Sequence, residues 1–230
     1  MNKTNRGGRK LKKRIRNLLA EEDFETALAT ICRLPAREVI SPLFSFFYST
    51  EELIKWRAVI ATGVVVSNLA GHDMESARVV MRRLMWNLND ESGGIGWGSP
   101  EAMGEIMARH LRLAEEFASI LISYIRKDGS YIEHELLQRG VLWGLGRLAQ
   151  AQPQVVIGSA ELLLDFLDSD DATVRGLAAW ICGILDLAAA KTLLEDLKYD
   201  DAGMTLFRNG QIKIFTVSEL AIEALSKVSR

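Results

Sequence analysis

Residues 174–183 read VRGLAAWICG, and the architecture turns on the fact that this pattern returns along the chain. Thirty-seven residues earlier, 137–146 read LQRGVLWGLG, which sets Trp143 over Trp180 and Gly146 over Gly183. A further 83 residues back, 54–63 read IKWRAVIATG, with Gly63 in the same register. Near the C-terminal end, 217–225 read VSELAIEAL with the same apolar spacing. Apolar residues at helical spacing give each stretch one buried face, and recurrence at a fixed interval indicates stacked repeats. The gap of 83 is two periods of about forty residues, so one repeat belongs between. Its second helix should open at Ser99-Pro100-Glu101, a capping serine followed by proline.

Five helix pairs follow: 36–48 with 51–70, 74–88 with 99–109, 111–126 with 131–150, 154–168 with 171–186, and 188–198 with 217–228. Residues 10–33 form a helical cap before them. Such a pair cannot bury its apolar face alone, and stacking makes one continuous core. Between the last two helices, Asn209-Gly210 separates the alternating runs Met204–Arg208 and Gln211–Thr216. This is the strongest short hairpin signal and predicts a two-stranded ribbon over about 203–216. The expected fold is all-α, a right-handed α-solenoid of about five pairs with this small β-hairpin inserted near the C-terminus. Residues 1–16 are read as a basic arm and 17–230 as a single repeat domain.

The period, together with the Asp168–Arg175 turn into a helix, resembles HEAT-like repeats. Three further stretches carry a narrower resemblance: Arg82–Trp86 with Asn89–Gly98 and Pro100–Glu105, then Gln138–Arg147, then the hairpin feeding Thr216–Ala221. They look like the signatures of a small bacterial family of HEAT-like proteins. That resemblance implies the fold and supplies no activity.

Composition narrows the class. In 230 residues, 48% are hydrophobic and 25% charged, the balance of a soluble globular protein rather than a disordered or fibrous one. Cys32 and Cys182 are the two cysteines, which argues against a disulfide framework and for a reducing, cytoplasmic setting. The net charge of −2 hides an asymmetry. Lys3, Arg6, Arg9, Lys10, Lys12, Lys13, Arg14 and Arg16 crowd the first sixteen residues with no acid among them. Without those eight, 20 basic and 30 acidic residues remain, a body of about −10. The plainer reading of the arm is a solvated, partly disordered lead into the first helix, the alternative is contact with RNA or an anionic surface, and an acidic body disfavours duplex DNA. Glu21, Glu22 and Asp23 follow the arm at once, so no signal-peptide core is expected. The longest apolar run, Ala58–Ala70, is too short for a transmembrane segment.

The least ordinary stretch is the loop 89–99. Gly93, Gly94, Gly96 and Gly98 fall within six residues, around Trp97 and before the helix start at Ser99. Glycines let backbone approach closely, and free amides at a helix start attract anions. A binding site here would use Arg82, Arg83, Gly93, Gly94, Gly96 and Trp97, with Glu91 or Glu101 as proton-transfer groups if it were catalytic. The glutamates oppose an anion and would instead pair with Arg82 and Arg83. The plainer reading makes Trp97 a plug between repeats. Arg139, Trp143 and Arg147, at i, i+4 and i+8, form a second candidate stripe for an acidic peptide or a nucleotide; the plainer reading places Trp143 in the core. Glu101 and Glu105 share a helical face, most simply a solvated one or an ion pair with Arg109. His72, His110 and His134 lie in different repeats without ligand spacing, so neither a metal nor a cofactor is expected.

The leading functional expectation is a non-enzymatic scaffold whose concave face holds a protein or peptide partner. The alternative is a small-molecule site, anionic or catalytic, at loop 89–99.

Overall fold

A computed structural model describes residues 3–89 and 96–228. The chain packs as two compact units, Met1–Arg109 and His110–Arg230.

The first unit contains six helices among the described residues: α1 (Lys3–Ala20), α2 (Phe24–Cys32), α3 (Ala36–Ser45), α4 (Glu52–Ala70), α5 (Met74–Asn89) and α6 (Ser99–Arg109). Local chemistry sets their ends. The Asp23 carboxylate accepts the Thr26 amide at the start of α2, satisfying a donor that the helix itself leaves open. The carbonyls of Leu19, in the last turn of α1, and of Glu21, just after it, accept Arg57 Nη1 at 2.8 and 2.7 Å. The basic residues up to Arg16 lie in α1, which is anchored by buried Ile15 and Leu19. Arg16 pairs with Glu51, and Lys12 stands over the Phe46 ring.

Helix α4 is the core of this unit. By length and composition alone this 19-residue helix would pass for a membrane span. Its apolar residues face neighbours on several sides, with α3, α5, α6, α1 and α2 all packed on it. A helix that is hydrophobic all round is the interior of its unit.

The second unit contains α7 (Leu111–Ser123), α8 (Glu135–Ala151), two 3₁₀ turns leading into the short α9 (Leu164–Leu167), α10 (Ala172–Ile184), a 3₁₀ turn before α11 (Lys191–Leu197), the strands β1 (Gly203–Arg208) and β2 (Gln211–Thr216), and α12 (Val217–Leu225). Asp171 caps α10 by accepting the amides of Thr173 and Val174. Thr216 and Glu219 form a reciprocal capping box at α12. The hairpin is antiparallel, with Arg208 opposite Gln211. Asn209 and Gly210 have φ of 53° and 76°, the left-handed pair that a two-residue turn between twisted strands requires.

Within each unit the second helices of successive pairs lie side by side: α4 against α6, and α8 against α10 against α12. The recurring glycines are the contact points. A β-carbon at Gly146 would lie 2.2 Å from the Trp180 ring, and one at Gly183 would lie 2.6 Å from the Ala224 backbone. At Gly63 it would lie 2.4 Å from Glu105 Cγ. Each repeat therefore leaves a notch that the next repeat fills. Two arginines tie the pairs together as well: Arg139 Nε to Asp171 at 2.6 Å and Arg175 Nε to Asp200 at 2.7 Å.

Candidate functional site

The notch at Gly63 differs from the other two because it receives a carboxylate. Glu105 is 0% exposed, and Glu101, one turn earlier on α6, is 4% exposed. Glu105 is held by Arg109, whose Nε and Nη2 approach Oε1 at 2.7 and 2.6 Å. The ion pair with Arg109 is one of the two arrangements that the spacing allowed; the other, a solvated face, is not what forms. Every residue of α6 from Ser99 to Ala108 is buried, so both glutamates sit inside.

Glu101 is less well satisfied. The nearest cation to Oε1 is Lys55 Nζ at 3.8 Å, longer than a charge-assisted hydrogen bond. Oε2 is buried without a hydrogen-bond partner. Burial pushes the Glu101 carboxyl above the usual carboxylate range, partly offset by the Lys55 charge. Lys55 itself lies 5.8 Å from the Trp56 ring centre and 5.9 Å from that of Trp97, within cation–π reach of both indoles. Its side chain keeps 23% of its exposure. The cluster is thus a buried acid at the bottom, two indoles beside it and a lysine in its mouth.

The α5–α6 loop positions this cluster. Glu91, Gly93 and Gly94 lie outside the described residues. Gly96 packs so that a β-carbon would come within 2.5 Å of the Asn87 carbonyl oxygen. Gly98 has φ of +73°, and a β-carbon there would meet the Phe47 side chain at 2.7 Å. The Ala102 amide donates to the Gly98 carbonyl, so Gly98 rather than Ser99 takes the cap position of α6. Ser99 is inside the helix, 3.4 Å from Asn87 Nδ2. Both glycines serve close packing that places half-buried Trp97 beside Lys55.

Arg82 and Arg83 do not pair with Glu101. The buried stripe of α5 runs through Ala77, Val80, Met81 and Leu84, and that phase turns both arginines aside. Arg82 reaches back to Glu75 at 2.5 Å. Arg83 donates to Ser41 Oγ at 3.0 Å and stands 4.7 Å from the Phe44 ring centre. Trp86, quoted in the sequence pattern but given no role there, is 71% exposed on the same helix.

In the second unit, Arg139, Trp143 and Arg147 do not form an open stripe. Trp143 is 2% exposed, donates Nε1–H to the Phe207 carbonyl at 2.8 Å and packs on the Phe207 ring. The hairpin covers it. Arg139 is bound to Asp171, and Arg147 donates to Gln150 at 2.8 Å. Among the described residues no group of three His, Cys, Asp or Glu converges as a metal site. Cys32 and Cys182 are unpaired thiols, and burial pushes the Cys182 thiol to about 12, making it a poor nucleophile.

Sequence reasoning singled out Trp97 and Glu101 but missed Lys55 and the burial of α6. The available signal was Gly63 in the repeat register, which marks the place where the next second helix enters.

Residues 135–185 match the model described as HEAT-like repeat. An uncharacterized protein of Archaeoglobus fulgidus is 30% identical over 110 residues, 48% of this chain and 54% of that one. The chain therefore spans about half the length of that curated relative. Among solved structures, a designed armadillo repeat protein in complex with the peptide (KR)4 is 21% identical. The match has a TM-score of 0.53 and covers 95% of this chain and 99% of that one. An engineered protein is 17% identical with a TM-score of 0.52, covering 99% and 97%. These likenesses show a fold of the helical-repeat solenoid class, with a HEAT-like repeat in the second unit.

Proposed function

We propose that the protein is a binding module without inherent chemistry, which holds a protein or peptide partner against its helical layers in a reducing, cytoplasmic setting. The observation that carries this reading is the employment of its charged side chains. Arg83, Arg139 and Arg175 each tie one helix to a neighbouring element, and Arg82 and Arg109 pair within their own helices, so these cations serve the scaffold rather than a reaction centre. Repeat layers of this kind offer extended surfaces rather than reaction centres. The similar fold of a designed protein in complex with (KR)4, and the body charge of about −10 outside residues 1–16, favour a basic peptide.

Fluorescence anisotropy with labelled (KR)4 and an acidic octapeptide tests this. The basic peptide should bind, and its affinity should fall with added salt. Equal binding of both peptides, or of neither, refutes the reading.

A second reading, a small-molecule site at loop 89–99, is favoured by the unpartnered Glu101 Oε2. With Arg82 and Arg83 engaged elsewhere, it would rest on Glu101, Lys55 and Trp97. A thermal-shift screen of metabolites addresses it, since a ligand at a hundred times its Kd stabilises by ~2.7 kcal/mol.

A further inference from the structure

The geometry points to a receptor for an arginine guanidinium, formed by Trp56, Trp97 and Glu101 and occupied by Lys55 when no partner is present. This inference rests on the binding-module reading and specifies its partner.

Buried polar atoms are paired in native structures, and an exception calls for a physical role. Glu101 Oε2 is such an exception in a residue 4% exposed. Lys55 supplies a positive charge but no hydrogen bond, standing 3.8 Å from Oε1. It sits near the outer limit of cation–π distance to both indoles. The cage therefore holds a cation that fits it loosely and reaches only one of its oxygens.

A guanidinium matches what the ammonium leaves unmet. Its planar fork donates to both oxygens of a carboxylate at once and stacks on aromatic faces. The partly exposed Lys55 side chain marks the way in, because it can swing outward as a guanidinium takes its place. Glu105 lies one turn away but is held by Arg109, so Glu101 is the acid that receives the ligand. The small anionic ligand expected from the loop glycines gives way to a cation, because the group left without a partner in the site is a buried carboxylate oxygen.

Three variants and two probes form the test. The probes are ethylguanidinium and the peptide acetyl-Gly-Arg-Gly-amide, with the lysine and glutamine peptides as comparisons. Binding is read by indole fluorescence and calorimetry, and folding by circular dichroism. Lys55→Gln should empty the cage and raise affinity for both arginine probes at least tenfold over wild type. Glu101→Gln should abolish binding. Lys55→Arg should fill the cage internally, raising Tm above wild type while blocking the probes. It retains charge and volume, so it keeps the test decisive if Lys55→Gln does not fold. No gain in Lys55→Gln, or a Lys55→Arg protein that melts below wild type, overturns the inference. So does a lysine peptide that binds as tightly as the arginine peptide. Binding of (KR)4 that ignores all three variants would leave the binding module standing and remove the cage. Probe binding to Lys55→Gln without (KR)4 binding to wild type would do the reverse.

Discussion

Replacing Gly146 with alanine tests the repeat register directly. The added β-carbon would lie 2.2, 2.7 and 2.8 Å from three atoms of the Trp180 ring. Carbon–carbon contacts are comfortable at about 3.5 Å and beyond, so the ring or the helix must shift by ~1.3 Å. Trp180 is 3% exposed, and a rigid ring in a packed core has nowhere near to go. Overpacking of this kind costs ~1–3 kcal/mol, and three simultaneous clashes place it at about the upper end. Alanine also favours helix over glycine by ~1 kcal/mol, leaving a net loss of ~2 kcal/mol. For a chain of this size that is roughly 4–8 °C in Tm. The assay is thermal and urea unfolding of Gly146→Ala, Trp180→Leu and the double variant. Gly158→Ala serves as the control, because open space surrounds that glycine. The smaller leucine should relieve the clash, so the double variant should be more stable than the sum of the two losses by more than about 1 kcal/mol. A Gly146→Ala protein as stable as wild type, or strict additivity, would refute the notch-and-filler account of the repeats.

Gly98→Ala combines a left-handed φ with contact against Phe47; it should cost ~3 kcal/mol or more, read as a lower urea midpoint. Trp143→Phe removes the indole donor to the Phe207 carbonyl and should cost ~1–3 kcal/mol, with hydrogen exchange rising first at the hairpin. Arg208 and Lys227 hold the Glu223 carboxyl at about 2. Its stabilising contribution is therefore complete above the ordinary value of 4.5 and lost as pH falls toward 2. Wild type should accordingly exceed Glu223→Gln in Tm at pH 6, with the gap closing between pH 4.5 and 2. Glu101 has the opposite sign, since burial raises its folded-state value. Its carboxyl favours the folded state at low pH and loses that contribution as pH rises through the raised value. Glu101→Gln should thus gain on wild type as pH rises from 4 to 8, and a variant that loses ground to wild type over that range would contradict this.

Much of the fold was legible because its signals are local. Asp171 caps α10, Thr216 boxes with Glu219, and Asn209-Gly210 turns the hairpin, each through atoms within a few residues of one another. Most helices fall close to their expected limits for the same reason, but the helix expected over 154–168 runs instead as two 3₁₀ turns and the four-residue α9, and the cap expected over 10–33 is two helices, α1 and α2. The start of α6 departs by one residue, because Phe47 packs where a side chain on residue 98 would stand, so the chain enters the helix through Gly98. The candidate site was legible only in outline. Trp97 and Glu101 stood out through an unusual loop, whereas Lys55 lies in a stretch whose apolar spacing drew attention elsewhere.

Helix pairs with a small hairpin are readable from the chain alone, because period, caps and turn residues act over a few positions. So are the positions of the notches, since Gly63, Gly146 and Gly183 share one register. What fills each notch and which charges are enclosed follow from how the helices pack on one another. Helical spacing places Glu101 and Glu105 on one face, and burial depends on whether other helices cover that face. Here they do, so a pair that would be solvated on an isolated helix becomes an enclosed acid, with a lysine from α4 at its mouth.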